Sequence, residues 1–363
     1  TAMLEGLRIV EIEGLGPGPF AAMMLADLGA EVICVQRPDS PPLPGLPARN
    51  LLDRGKKTIA LDLKSAADRP VLEALIRRAD GLIEGFRPGV MERLGLGPQA
   101  CQGWNPRLVY GRMTGWGQEG PRALQAGHDL NYVALSGALW YASLPGQPPL
   151  TPPTLLGDIG GGALYLVAGM LAGLIRAGRT GLGTVVDAAI VDGSAHMMTL
   201  VMLMQSGGMF RAERGQSLLD GPHWSRSYAC ADGGFVTVQC LEPRFYAEFL
   251  SLLSLSTDSD FARQNDPATW PRATGRLAAI FAGQSRDHWT ALFAGSDACV
   301  APVLTPAEAA ADPHLAARST WTRAGGALQA RPAPRFDGRA LDPAEAPLRD
   351  QHRAEILRLL GLA

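Results

Sequence analysis

Two short strings in this 363-residue chain carry side chains able to move protons. One is Gly127-His128-Asp129-Leu130-Asn131-Tyr132, the other Gly157-Asp158-Ile159-Gly160-Gly161-Gly162. Histidine titrates nearest neutral pH and is the commonest general base. Asp158 stands where an apolar helical run begins, at a point where unpaired backbone amides collect. An aspartate there also serves as an ordinary N-cap, and a histidine alone is more often structural. Three glycines in succession are poor helix formers, so something is expected to approach the backbone closely. An anionic oxygen is a natural guest. Together His128, Asp158 and the amides of Gly160, Gly161 and Gly162 offer a base, an acid for the opposite face and donors for an enolate oxygen. That set suits inversion of a carbon beside a thioester carbonyl, chemistry that requires neither a redox centre nor a metal.

Basic residues cluster at a few places. Arg37 follows an apolar run in Gln36-Arg37-Pro38, Arg87 stands in Glu84-Gly85-Phe86-Arg87-Pro88-Gly89, and Arg54, Lys56 and Lys57 share Asp53-Arg54-Gly55-Lys56-Lys57. At strand ends such residues could clamp a polyphosphate. The first glycine loop, Glu13-Gly14-Leu15-Gly16-Pro17-Gly18-Pro19, is not a nicotinamide fingerprint. Pro19 replaces the third motif glycine and removes an amide that a pyrophosphate would use. Gln36-Arg37 stands where an NAD enzyme wants an acid for the ribose, and an arginine there suits a ribose carrying an extra phosphate.

Alternating strand and helix patterns position these groups. Residues 7–11 read as a strand, 20–28 as a helix and 30–35 as a second strand. Further units follow at 58–63 (strand), 71–78 (helix), 81–84 (strand) and 108–113 (strand), with a proline-rich surface loop at 41–47. This is an α/β pattern, predicting a Rossmann-like large domain with a parallel sheet. A long apolar helix is expected over 157–175, and a short strand with a second helix over 185–204. Residues 231–234 read as a hairpin before a strand at 235–240, and 245–255, 270–282 and 288–293 look helical. The predicted organisation is a large domain over 1–206, a linker over 207–224, a smaller α+β domain over 225–325, and a tail over 326–363 returning to the first domain. Met197, Met198, Met202, Met204 and Met209 fall on one apolar segment; helix core or an interface accounts for most of them, with a smooth acyl-binding wall as the alternative.

Composition narrows the class. The formal net charge is -2 without a long basic run, which argues against a nucleic-acid partner. Hydrophobic residues at 47% and charged ones at 19% predict a packed globular protein. The apolar stretch 159–175 is short for a membrane span, so a buried helix is expected. Five scattered cysteines without Cys-x-x-Cys spacing fit reduced thiols and a cytoplasmic setting, with no secretory or peroxisomal address expected. The six histidines show no metal-site spacing.

The strings GLGPGPFAAMMLADLGAEV, RGKKTIALDLK, LIEGFRPGVMERLGLGP, TGWGQEGP, GHDLNY, GDIGGG, CLEPRFY, CVAPVLTPAEA and PAPRFDG run nearly end to end. On them the chain resembles the class III CoA-transferase superfamily and, within it, the α-methylacyl-CoA racemases. The resemblance implies His128 as a base and Asp158 as the second proton-transfer group, with the Asp158 amide holding the thioester oxygen. It implies Glu242, in CLEPRFY, as the residue orienting the histidine, and Arg37 and Arg87 as CoA phosphate ligands; Arg54 and Lys57 are expected as further CoA ligands from their place before a strand. It further implies an acyl-CoA substrate, no separate cofactor, and an interlocked homodimer in which Glu242 comes from the partner chain. The sister activity, CoA transfer between acids, uses the aspartate of the same motif as a nucleophile. Transferases generally lack the histidine of GHDLNY, so the racemase reading is preferred. A catalytically silent CoA-binding protein is disfavoured by the His128–Asp158 pair. Three departures stand out from the family pattern: Gln36, Asp53 and the segment 223–228.

Overall fold

A computed structural model describes residues 2–40 and 44–363. The proline-rich loop expected over 41–47 therefore falls partly outside the described residues. Six strands, β1 (Arg8–Ile12), β2 (Glu31–Gln36), β3 (Lys57–Ala60), β4 (Gly81–Glu84), β5 (Val109–Thr114) and β6 (Val185–Ala189), form one sheet in the order β3-β2-β1-β4-β5-β6. All their pairings are parallel. The near-continuous apolar strands are what a sheet covered on both faces requires. On one face Val10, Ile33, Ile59, Leu82 and Tyr110 pack against α2 (Arg69–Arg77) and α14 (Arg353–Leu360), with the short helices α3 (Val90–Arg93) and α4 (Pro98–Trp104) beside them. On the other, Ile9, Val32, Ile83 and Val109 meet α1 (Pro17–Asp27) and α6 (Leu164–Thr180).

Helix α1 begins three residues before the predicted start because Pro17, with its fixed φ, suits the first helical turn. The apolar run expected as a single helix from residue 157 is instead a π-helical stretch, Leu155–Ala163, that passes into α6. By length and hydropathy this run could cross a membrane. Here its inner face, Leu166, Val167, Met170 and Ala177, is buried in the core. The second apolar stretch breaks into β6, α7 (Ile190–Met197) and α8 (Thr199–Ser206). Helix α5 (Asp129–Ser136), absent from the sequence-based expectations, completes the site region.

The chain divides into two compact units. The first comprises 2–40, 44–138, 151–197 and 312–363 among the described residues; the second comprises 139–150 and 198–311. The second unit has a three-stranded antiparallel sheet, β7 (Ser225–Ala229), β8 (Phe235–Gln239) and β9 (Val300–Pro302). Helices α9 (Pro243–Leu252), α10 (Trp270–Phe281), α11 (Arg286–Phe293) and α12 (Pro306–Ala311) also belong to it, around Trp224, Phe249, Phe261 and Phe281. These units correct the sequence-based boundaries. Residues 198–206, placed with the large domain, lie in the second unit. Residues 312–325, placed in the small domain, belong to the first, where α13 (Pro313–Ala317) leads into a hairpin of β10 (Trp321–Ala324) and β11 (Ala327–Ala330). The hairpin is tied there by Arg54, which donates to Gln329 Oε1 and the Ala330 carbonyl, each at 2.9 Å.

Candidate active site

The strand order reverses direction between β1 and β4, the place where parallel α/β sheets open a ligand crevice at their carboxyl ends. A cavity of about 820 Å³ lies there, and its lining among the described residues comes from the first unit. Its walls come from the loop after β1, the ends of β2, β4 and β5, the segment around His128, the π-helical turn and the tail near Arg349. Gly16, at φ 71°, lets the β1 loop turn where a side chain would be strained. A Cβ at Gly16 would stand 3.8 Å from Asp158 Oδ2, so this loop passes directly beside the acid. With Pro17 and Pro19 in its first turn, α1 keeps few free amides for a pyrophosphate. This agrees with the sequence argument against a nicotinamide site.

His128 is the exposed N-cap of α5, and its backbone N–H donates to Asn131 Oδ1 at 3.1 Å. The preceding loop is pinned by Tyr132, whose hydroxyl donates to the Gly127 carbonyl while its ring meets Trp116 edge-on at 4.7 Å. Asp158 sits in the first turn of the π-helical stretch, half-buried on the same cavity as His128. Burial, reinforced by the charge of Asp129, pushes its carboxyl above the ordinary aspartate range, against opposing effects of the Thr154 hydroxyl and His128. A raised pKa favours a carboxylic acid able to hand over a proton.

Two expectations require correction. The Asp158 amide, expected to hold the thioester oxygen, already donates to Asp129 Oδ1 at 2.6 Å. The amides of Gly160 and Gly161 lie within a hydrogen-bonded π-helical ladder that runs from Ile159 N–H on the Thr154 carbonyl to Leu164 N–H on the Ile159 carbonyl. Something does approach these glycines, but it is helix α7. A Cβ on Gly161 would stand 2.4 Å from Ser194 Oγ and 2.7 Å from its backbone nitrogen. One on Gly193 would stand 1.8 Å from the Gly161 carbonyl oxygen. The glycines let two backbones cross closely and do not form an anion hole. At the start of α5 the first amides, Asp129 and Leu130, have no acceptor within the helix.

The basic residues separate into two groups. Arg37 is exposed on the cavity wall with its guanidinium 5.7 Å from the Phe86 ring centroid, and exposed Arg87 lies near enough to Tyr132 to act on its hydroxyl. Arg54 and Lys57 are not cavity residues. Arg54 is buried and grips Asp27 through Nε (3.0 Å) and Nη2 (2.6 Å). Lys57 bridges Glu31 and Glu355 at 2.7 Å each. Their assignment as CoA ligands is corrected because their charges are already matched by carboxylates. Lys56 is wholly buried on Glu11 (2.7 Å) and also donates to the Pro19 carbonyl at 3.2 Å, supporting the β1 loop from beneath. The Glu11–Cys34–Asp53 cluster has ligand types suited to a metal, but the Lys56 ammonium stands on two of its carboxylates and supplies the countercharge.

Over residues 4–353 the sequence matches the model of CoA-transferase family III. The chain belongs to this family. It is 40% identical to mouse (Mus musculus) α-methylacyl-CoA racemase over 366 residues, covering 99% of this chain and 94% of that protein, and 40% identical to the human (Homo sapiens) racemase over 365 residues with the same coverage. It is also 30% identical to acetyl-CoA:oxalate CoA-transferase of Acetobacter aceti, covering 89% of this chain and 86% of that one. A crystal structure of a CAIB/BAIF family protein from Brucella suis superposes with a TM-score of 0.81 at 26% identity, covering 98% of both chains. The family to which the chain belongs does CoA-thioester chemistry.

One cavity residue, Arg349, carried no sequence signal. Arg349, from the tail, reaches the crevice and pairs with Glu13, and it donates to the Arg37 carbonyl at 2.8 Å. Gln36, one of the departures from the family pattern, is buried and accepts the Asp350 amide at 2.9 Å, so it anchors that tail. Glu242 is the exposed N-cap of α9, in the second unit. His223, in another departing segment, is buried with Nε2 2.8 Å from the Tyr246 hydroxyl, and burial lowers its pKa to about 4.

Proposed function

We propose that the chain is a racemase of 2-methylacyl-CoA thioesters, working by two-base proton transfer through an enolate. The observation that carries this reading is the presence of His128 and Asp158, whose carboxyl is raised by burial, on one cavity. One removes the α-proton and the other returns a proton to the opposite face; the roles exchange for the opposite epimer. The free amides opening α5, beside His128, are the donors for the enolate oxygen. Arg37 and Arg87 hold the CoA phosphates. CoA is part of the substrate, and the scheme uses no further cofactor. The 40% identity to two racemases supports the same reading.

In this proposal the enzyme is a cytoplasmic homodimer whose partner chain brings Glu242 to orient His128. Leu200 and Leu203 on α8, each about two-thirds exposed, and Met202 support an interface between copies. The alternative, CoA transfer through an anhydride on Asp158, is supported by the 30% identity to a transferase. The experiment gives purified enzyme one epimer of a 2-methylacyl-CoA in D₂O without a second acid. Deuterium at C2 and appearance of the other epimer are the expected results. A hydroxylamine-trapped hydroxamate at Asp158, with acceptor-dependent turnover and no exchange, would establish the transferase instead.

A further inference from the structure

We propose that Asp129 is a positioning residue for the reaction: carried next to His128 in the chain, its carboxylate clamps the Asp158 peptide amide and so fixes the spacing of the two proton-transfer groups. The inference rests on the racemase reading and deepens it. The clamp is the 2.6 Å bond from Asp158 N–H to Asp129 Oδ1, joining segments 29 residues apart. An ionised acceptor makes such a bond short and strong.

The clamp has room built for it. A Cβ on Gly157 would stand 2.4 Å from Asp129 Oδ1, so only glycine admits the carboxylate at that point. An acid in the first turn of a helix often does no more than complement the helix dipole. Asp129 differs because its carboxylate reaches across to another element, while the α5 N-terminus is held by Asn131 on the His128 amide. The negative charge of Asp129 also raises the Asp158 carboxyl. One side chain therefore sets both where the acid stands and how firmly it keeps its proton.

Other charged or titratable groups surround this turn: His128, Tyr132 and Arg87 near α5, Asp192 and His196 on α7, and Glu13, Arg37, Asp53 and Arg349 on the cavity. They are common to wild type and variants, so a comparison isolates Asp129. The experiment measures C2 exchange and racemisation of both epimers against pH for wild type, Asp129→Asn and Asp129→Ala, with melting temperature and CoA binding as folding controls. Asp129→Asn keeps an acceptor oxygen and removes the charge. It should lower kcat less than tenfold and move every pH limb governed by Asp158 to lower pH. For one epimer this is the basic limb, where Asp158 is the acid. For the other it is the acidic limb, where Asp158 is the base. Asp129→Ala loses the clamp as well and should lower kcat about a hundredfold or more with KM changed less than threefold, in the range that general acid–base groups contribute. Unmoved Asp158 limbs in a folded Asp129→Asn enzyme, or an Asp129→Ala kcat within twofold of wild type, would overturn the proposal. Asp129→Asn, being isosteric, decides the matter if Asp129→Ala does not fold. Absence of exchange in the wild-type enzyme would instead remove the racemase reading, and this inference with it.

Discussion

Two groups of cations surround the crevice and read alike in the sequence. Beneath it, Arg54 and Lys56 are buried and face carboxylates; Arg37, on its wall, and Arg87, near Tyr132, are exposed. The difference is one of solvation. A buried charge must be matched locally, so it becomes part of the scaffold. A charge on an open wall keeps its hydration until a ligand replaces it. On the proposed function, the lower group governs stability and the upper group governs ligand affinity.

The sharpest way to break this division is Lys56→Met. It leaves Glu11, already pushed up to about 7 by burial, without its countercharge. Breaking one side of such a pair should cost about 3–5 kcal/mol in chemical denaturation. The pH dependence has a definite sign. A carboxyl whose folded pKa lies above its unfolded one makes the fold more stable at low pH, and that advantage fades as pH rises from about 4.5 through the folded value. Lys56→Met should thus be least damaged near pH 5 and most damaged above 7, and adding Glu11→Leu should restore most of the loss. A pH-independent loss would contradict the buried-pair account.

Arg54→Ala should follow, losing roughly 2–4 kcal/mol because Asp27 is left buried and unpaired. Gly161→Ala should destabilise by a comparable amount through its clash with Ser194, readable as a lower melting temperature. At the wall, Arg37→Ala should leave stability within about 0.5 kcal/mol and raise KM for the CoA ester more than it lowers kcat, since the contact is remote from the reacting carbon. Lys57→Ala should change KM least, because that ammonium serves Glu31 and Glu355. A KM rise for Lys57→Ala equal to that for Arg37→Ala would erase the distinction between the two groups.

The same solvation argument explains what was legible in the sequence. Strands β1, β2, β4 and β5 announce themselves because a sheet covered on both faces needs apolar runs. That His128 and Asp158 lie on one cavity accords with strings that each place a titratable group beside glycine. What glycine reports, however, is close approach without the identity of the visitor: at Gly16 it is the Asp158 side chain, and at Gly161 it is α7. The role of a cation was equally hidden, because Arg37 and Arg54 differ only in partners distant along the chain. The unit boundaries were hidden for the same reason. Residues 139–150 join the second unit through bonds such as Trp140 Nε1 to the Ala212 carbonyl at 2.6 Å and Tyr141 hydroxyl to the Arg211 carbonyl at 2.7 Å. No local pattern encodes pairings about 70 residues apart.

The most direct test of the central claim separates the two proton-transfer groups by hand of substrate. His128→Ala and Asp158→Asn are each given the two epimers of a 2-methylacyl-CoA in D₂O, with C2 deuterium and epimer ratio followed together. Racemisation should fall by about 10²–10⁴-fold in both variants. Exchange without inversion should persist for one epimer in His128→Ala and for the opposite epimer in Asp158→Asn, because each variant retains the base for one face. Near-normal racemisation by Asp158→Asn, or exchange retained for the same epimer in both variants, would contradict a two-base site.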